Sequence, residues 1–153
     1  MSNWKDYFNF IDSKHVVPNL KYPKIYVYKD KSVESLPIGL PMPPTVSLDC
    51  MFLGCHSLKN IDALKNWDTS KIVSARYLFY DCESLSNVNA LKNWDTSCID
   101  DMSYMFFNCK SLSNIDGLKN WNIGNVKDTH DMFYNCKSLS NIDGLKNWDI
   151  SNV

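Results

Sequence analysis

Four cysteines, Cys55, Cys82, Cys109 and Cys136, stand 27 residues apart, and thiols at a fixed interval could hold a metal, form disulfides or act as nucleophiles. No C-x-x-C pair occurs, and Cys50 with Cys55 has no second ligand pair at zinc-like spacing, so no metal site is expected. Each of the four closes an apolar stripe of helical period and reads as an inert core thiol, whereas Cys50 and Cys98 fall outside the row and are expected at the surface. Two further rows, Asp62, Asp116 and Asp143 with Asn89, and Asp68, Asp95 and Asp149 with Asn122, have residue types that could bind Ca²⁺ or pair carboxylates. Beside the stripe of Lys65, Lys92, Lys119 and Lys146 they read as turn caps. His15, His56 and His130 are in no nucleophile motif, and five glycines build no phosphate loop. The expectation is a protein that is not an enzyme, with no catalytic, cofactor-binding or metal-binding residues and no cofactor.

The same interval sets Trp67, Trp94, Trp121 and Trp148 in a row, as it does Phe52, Phe79, Phe106 and Phe133. A unit of 27 residues cannot bury its own apolar face, so the units are expected to stack and share a core. Met102, Met105, Phe106 and Cys109 fall at i, i+3, i+4 and i+7, which predicts a short helix, and Ser111 to Asp116 predicts a short strand after it. The expected fold is an α/β repeat: a leucine-rich-repeat-like solenoid of about four 27-residue coils, each a short helix plus a short strand, over residues 47–153. Residues 1–46 are expected to form an N-terminal α+β cap. In it Ser2 or Asn3 would cap a helix with Trp4, Tyr7, Phe8 and Ile11 on one face, and Lys24 to Lys29 would form a strand.

The unit M-F-[FY]-N-C-K-S-L-S-N-I-D-G-L-K-N-W-D-[TI]-S-N-V resembles the repeat of the BspA-like leucine-rich-repeat family of bacterial surface proteins. The likeness rests on the W-D-T-S at Trp67 to Ser70 and Trp94 to Ser97, the D-M-S-Y-M-F at Asp101 to Phe106, and the C-x-S-L at Cys109 to Leu112. It implies a solenoid that binds other macromolecules, often as a surface adhesin. It also implies that Asn60, Asn87, Asn114 and Asn141 form a buried amide ladder. The unit departs from that family in the A/G-L-K-N inserted before each Trp.

With 16 basic against 17 acidic residues and a pI near 6.3, the chain has no field to hold a nucleic acid, and no apolar run is long enough to cross a membrane. The first residues contain no apolar export segment, so the expected location is the cytoplasm, or the surface if an export signal has been removed. The expected partner is a protein. Columns that vary from unit to unit face outward, and Tyr77 with Tyr80, Tyr104 with Phe107, and Tyr134 after Asp131 form an i, i+3 aromatic stripe on the outer flank of the expected helices. It reads either as a protein-binding surface or as packing between neighbouring helices. The Trp row reads as core, or as an exposed stripe for carbohydrate or protein. The last unit lacks a following helix, so Trp148, Ile150 and Val153 are expected at an uncapped end that forms a homodimer or docks on a partner. The functional expectation is a non-enzymatic protein-protein interaction module acting by steric binding, for example a phage- or mobile-element-encoded inhibitor of a host enzyme. The alternatives are a bacterial surface adhesin fragment and a self-assembling structural repeat.

Overall fold

The Asn3 side chain accepts from the Lys5 N–H while Asp6 accepts from the Asn3 N–H, closing a capping box on one 3-10 turn, Trp4–Asp6. The structure, a computed structural model, describes residues 3–153, so the Ser2 alternative lies outside the described residues. The expected helix through Ile11 does not form. Phe8–Asp12 is instead a strand, β1, paired antiparallel with β2, Lys24–Tyr28, with Phe8 opposite Tyr28 and Asp12 opposite Lys24. Residues 7–11 are mostly aromatic or β-branched, and pairing with β2 gives them cross-strand partners, as in the Phe10–Tyr26 stack at 4.5 Å. The cap is thus 3-10 turns and one hairpin, not α+β.

The α/β solenoid is also overturned. Among the described residues there is no helix of seven residues or more, and the only sheet is the two-stranded β1–β2 hairpin. The helix-plus-strand coils, and the leucine-rich-repeat architecture built on them, do not describe this chain. The 27-residue interval is expressed through turns. Four layers begin at Ser47, Ser74, Asp101 and Asp128, which are linked in sequence by isolated parallel bridges. In the first three layers alternate N–H groups close local i to i+3 turns while those between them donate to the next layer. Thus Met105 and Phe107 N–H donate to Met102 and Tyr104 carbonyls, whereas Met102, Tyr104, Phe106 and Asn108 N–H reach Asp128, His130, Met132 and Tyr134.

Left-handed backbone at every fourth residue makes this alternation and stops a helix. Tyr77, Asp81, Tyr104, Asn108, Asp131 and Asn135 have φ between 51° and 61°, and Gly54 fills the first-layer place with φ 77°. The expected strands fail for a related reason. Ser113 and Asn114 N–H both donate to Ser86, one bridge forms between Asn87 and Asn114, and the chain then tightens into the 3-10 turn Asp116–Leu118.

Packing between layers is repetitive. Phe52, Phe79, Phe106 and Phe133 lie parallel with centroids 5.6 Å apart, and the first three are fully buried. Indole N–H groups of Trp67, Trp94, Trp121 and Trp148 donate to Leu40, Leu64, Leu91 and Leu118 carbonyls at 2.9 Å, so each buried donor is satisfied one layer back. The 3-10 turns carry Ala63 and Ala90 in the first two layers but Gly117 and Gly144 in the last two. There the backbones approach closely enough that a Cβ on Gly117 would overlap the Val88 carbonyl oxygen. Gly117→Ala is therefore expected to cost about 1–3 kcal/mol, read by urea denaturation. A neutral result would mean that the layers can separate at no cost.

Candidate functional site

Although no helix carries them, the aromatic residues of the outer flank still meet. Each i, i+3 pair spans a hydrogen-bonded turn: Tyr80 N–H donates to Tyr77, Phe107 to Tyr104, and Tyr134 to Asp131. The left-handed residue in each turn aims its own side chain and the one three positions on at the same edge. Tyr77 and Tyr104 stack at 4.6 Å, Tyr80 and Phe107 at 4.6 Å, and Phe107 and Tyr134 at 4.8 Å, all within 14° of parallel. The outcome is a two-column ribbon of five rings. Tyr77 packs against a small second core of Ile25, Val27 and Cys50; Tyr77, Tyr80, Tyr104 and Phe107 are half-buried, and Tyr134 is 59% exposed.

Polar groups border the ribbon. The Arg76 guanidinium lies 5.6 Å from the centre of the Tyr77 ring, donates to Ser103 Oγ at 3.0 Å and pairs with Asp101 at 3.4 Å. His130 meets the edge of Tyr104 at 5.3 Å. On the other side Asn108 Nδ2 donates to Asp81 at 2.7 Å and Asn135 Nδ2 to Asn108 at 2.5 Å, an amide ladder through the left-handed positions. Burial raises the Tyr77 and Tyr80 hydroxyls above the ordinary phenol range, so both are protonated at neutral pH. These side chains offer hydrogen bonds and ring edges.

The other rows identified in the sequence are placed as follows. Cys55, Cys82, Cys109 and Cys136 are buried, and Cys82, Cys109 and Cys136 Sγ approach the carbonyls of Phe52, Phe79 and Phe106 at 3.1–3.2 Å. Burial pushes Cys55 and Cys136 up to about 11 and Cys82 and Cys109 well above the usual thiol range, which disfavours the reactive thiolate. Cys98 is exposed, but Cys50 is buried, contrary to expectation, because the cap hairpin lies over it. Asn60, Asn87, Asn114 and Asn141 are exposed, so the buried ladder expected at these positions is not there. Their side chains instead accept from the N–H two residues on, at the entry to each 3-10 turn. Asp68, Asp95 and Asp149 likewise accept from the N–H two residues on, at Ser70, Ser97 and Ser151. The serine bonds hold these carboxyls below their ordinary range. Among the described residues no three His, Cys, Asp or Glu side chains gather as a metal cage. Among the same residues no helix is long and apolar enough to cross a membrane.

At the far end, Trp148 is half-buried against Trp121, while Ile150 and Val153 are exposed. Trp148 and Ile150 line a hollow of about 480 Å³ with Met132, Phe133 and Leu145; Val153 does not. Sequence reasoning missed Asp49. It is 1% exposed, Oδ1 accepts from Ser74 Oγ at 2.6 Å and from the Arg76 N–H at 2.8 Å, and Oδ2 has no partner. Its row runs Asp49, Arg76, Ser103, His130, and no repeated residue type marks it.

Compared with known proteins, residues 46–153 match a family described as "Mycoplasma protein of unknown function, DUF285". No curated protein and no solved structure matches the chain.

Proposed function

The chain belongs to the DUF285 family of Mycoplasma proteins of unknown function, and since membership brings no activity with it, we propose that it is a non-enzymatic protein-binding module whose contact surface is the aromatic ribbon. One observation carries this reading: five rings are held rigidly at 4.6–4.8 Å intervals on one edge, with the outermost more than half exposed. Rings already fixed by stacking lose little further freedom on contact, so the surface they bury counts almost fully toward affinity. Tyrosine is also enriched among residues that dominate interface energies. Binding would act by occupying a partner's surface, with little movement of the layers.

The test is affinity capture from source cells with the native chain and with a Tyr80→Ala, Phe107→Ala, Tyr134→Ala variant, each checked for cooperative unfolding. One dominant ring contributes about 2 kcal/mol, so the captured partner should bind the variant at least about 30-fold more weakly by titration. Equal recovery and equal affinity with a folded variant would remove the ribbon as the site.

A further inference from the structure

Strand alternation puts Phe8, Phe10 and Asp12 of β1 on the same face of the cap hairpin as Tyr28, Tyr26 and Lys24, their partners in β2. One end of this face is spent on the first layer, where Phe8 and Tyr28 are buried against Phe52. At the other end the stacked Phe10 and Tyr26 rings line a hollow of about 500 Å³ together with Tyr22, Lys24, Pro44 and Val46. Its parts are fixed before anything enters. The Tyr26 hydroxyl donates to the Pro44 carbonyl at 3.3 Å, and the Val46 carbonyl accepts from the Val73 N–H of the second layer at 2.8 Å. Even so, Phe10 is 52% exposed and Val46 49%. Three rings around an open, preformed hollow of this volume suit a flat apolar ligand of small-molecule size.

Two groups set the charge of that ligand. Lys24 is the one charged residue lining the hollow, and it makes no ion pair among the described residues. The carboxylate opposite it in the hairpin, Asp12, is engaged by Lys14, whose Nζ lies at 3.8 Å and whose N–H donates at 3.0 Å. The Val46 N–H likewise has no acceptor among the described residues. Its equivalents on Val73, Asp100 and Lys127 each donate to the residue 27 positions earlier, a direction that from Val46 leads to the cap and the hollow. A cation and a backbone N–H beside aromatic rings match a carboxylate carried on a flat ring.

The geometry points to a second binding site, in the cap, for a small aromatic carboxylate. The ring lies against Phe10, and the carboxylate accepts from Lys24 and from the Val46 N–H. The site shares no residue with the aromatic ribbon, and the inference stands or falls without it.

The probe is naphthoate, titrated to millimolar concentration into the isotopically labelled full chain, with naphthamide as the uncharged ligand of the same shape. Naphthoate should move the Val46 amide and the Phe10 and Tyr22 ring signals together. It should bind about threefold or more tightly than naphthamide, a difference that Lys24→Gln abolishes. Phe10→Ala, checked for cooperative unfolding, should weaken both ligands about tenfold, and Lys24→Gln at its exposed position carries the test if that variant does not fold. Failure of these signals to move would overturn the inference. So would equal affinity for the two ligands in the native chain, which would make the hollow merely apolar, or an equal response at Phe133 and Trp148, which would mean that any apolar hollow of the chain takes the probe.

Discussion

Phe106→Ala is expected to lower the free energy of unfolding by about 3–5 kcal/mol. The ring is fully buried between Phe79 and Phe133, each 5.6 Å away and within 8° of parallel, so its removal opens a cavity in contact with two neighbouring layers at once. Cys109 Sγ and Cys136 Sγ are held on the Phe79 and Phe106 carbonyls and so are restrained from moving into the gap. In a stack whose layers touch only their neighbours, a weak joint also divides the cooperative unit. Urea denaturation of the variant should therefore show a lower midpoint and a shallower slope than the native chain. Phe133→Ala, at a half-buried position, should cost less. A loss under 1 kcal/mol for Phe106→Ala would mean that the Phe column is not what holds the layers together.

Stability should fall as pH rises from about 4 to about 6, and Asp49→Asn should abolish that fall. Burial pushes the Asp49 carboxyl from its ordinary 3.8 up to about 6, and the bonds from Ser74 and Arg76 N–H oppose the shift only in part. Asp101 faces it with like charge, and the paired Arg76 guanidinium is turned toward Asp101 and Ser103. Between these two values the folded chain keeps a proton that the unfolded chain has released. The stability linked to that proton is therefore complete below 3.8 and is lost as pH rises through about 6. For a shift of this size the loss is on the order of 3 kcal/mol. The carboxyls of Asp12, Asp30, Asp68, Asp95 and Asp149 are held low by hydrogen bonds and act in the opposite sense, losing their contribution as pH falls below their ordinary range, outside this window. Denaturant midpoints measured from pH 4 to pH 8 check the prediction. Parallel pH profiles for the native chain and the variant would contradict it.

The interval of 27 residues could be read from the sequence because each position in a layer meets its own equivalent, and identical rings stack on identical rings. What filled the interval could not be read by periodicity. Met102, Met105, Phe106 and Cys109 have the spacing of a buried helical stripe, yet the same spacing arises when i to i+3 turns follow one another. The informative row was the one holding Gly54, Asp81, Asn108 and Asn135, residue types that tolerate left-handed backbone, and it stands where a helix would need φ near −60°. Its companion row of Cys50, Tyr77, Tyr104 and Asp131 has no such signature, so its backbone was not legible. The aromatic stripe was legible nonetheless, since turns and helices both bring i and i+3 to one edge. Cys50 and the first strand were misread because a distant segment, β2, decides their surroundings.

The spacing of equivalent rings differs across a layer: 4.6–4.8 Å at the ribbon, 5.6 Å at the phenylalanines and 6.4 Å at the indoles of Trp94, Trp121 and Trp148. Equivalent points of nearly identical bodies move unequally only if one body is rotated relative to the next, and those nearest the rotation axis move least. Successive layers of this chain are therefore rotated about an axis that lies nearer the tyrosines than the indoles. Along the layers the tyrosine seam keeps a step close to the separation of paired β-strands, whereas the indole side opens out.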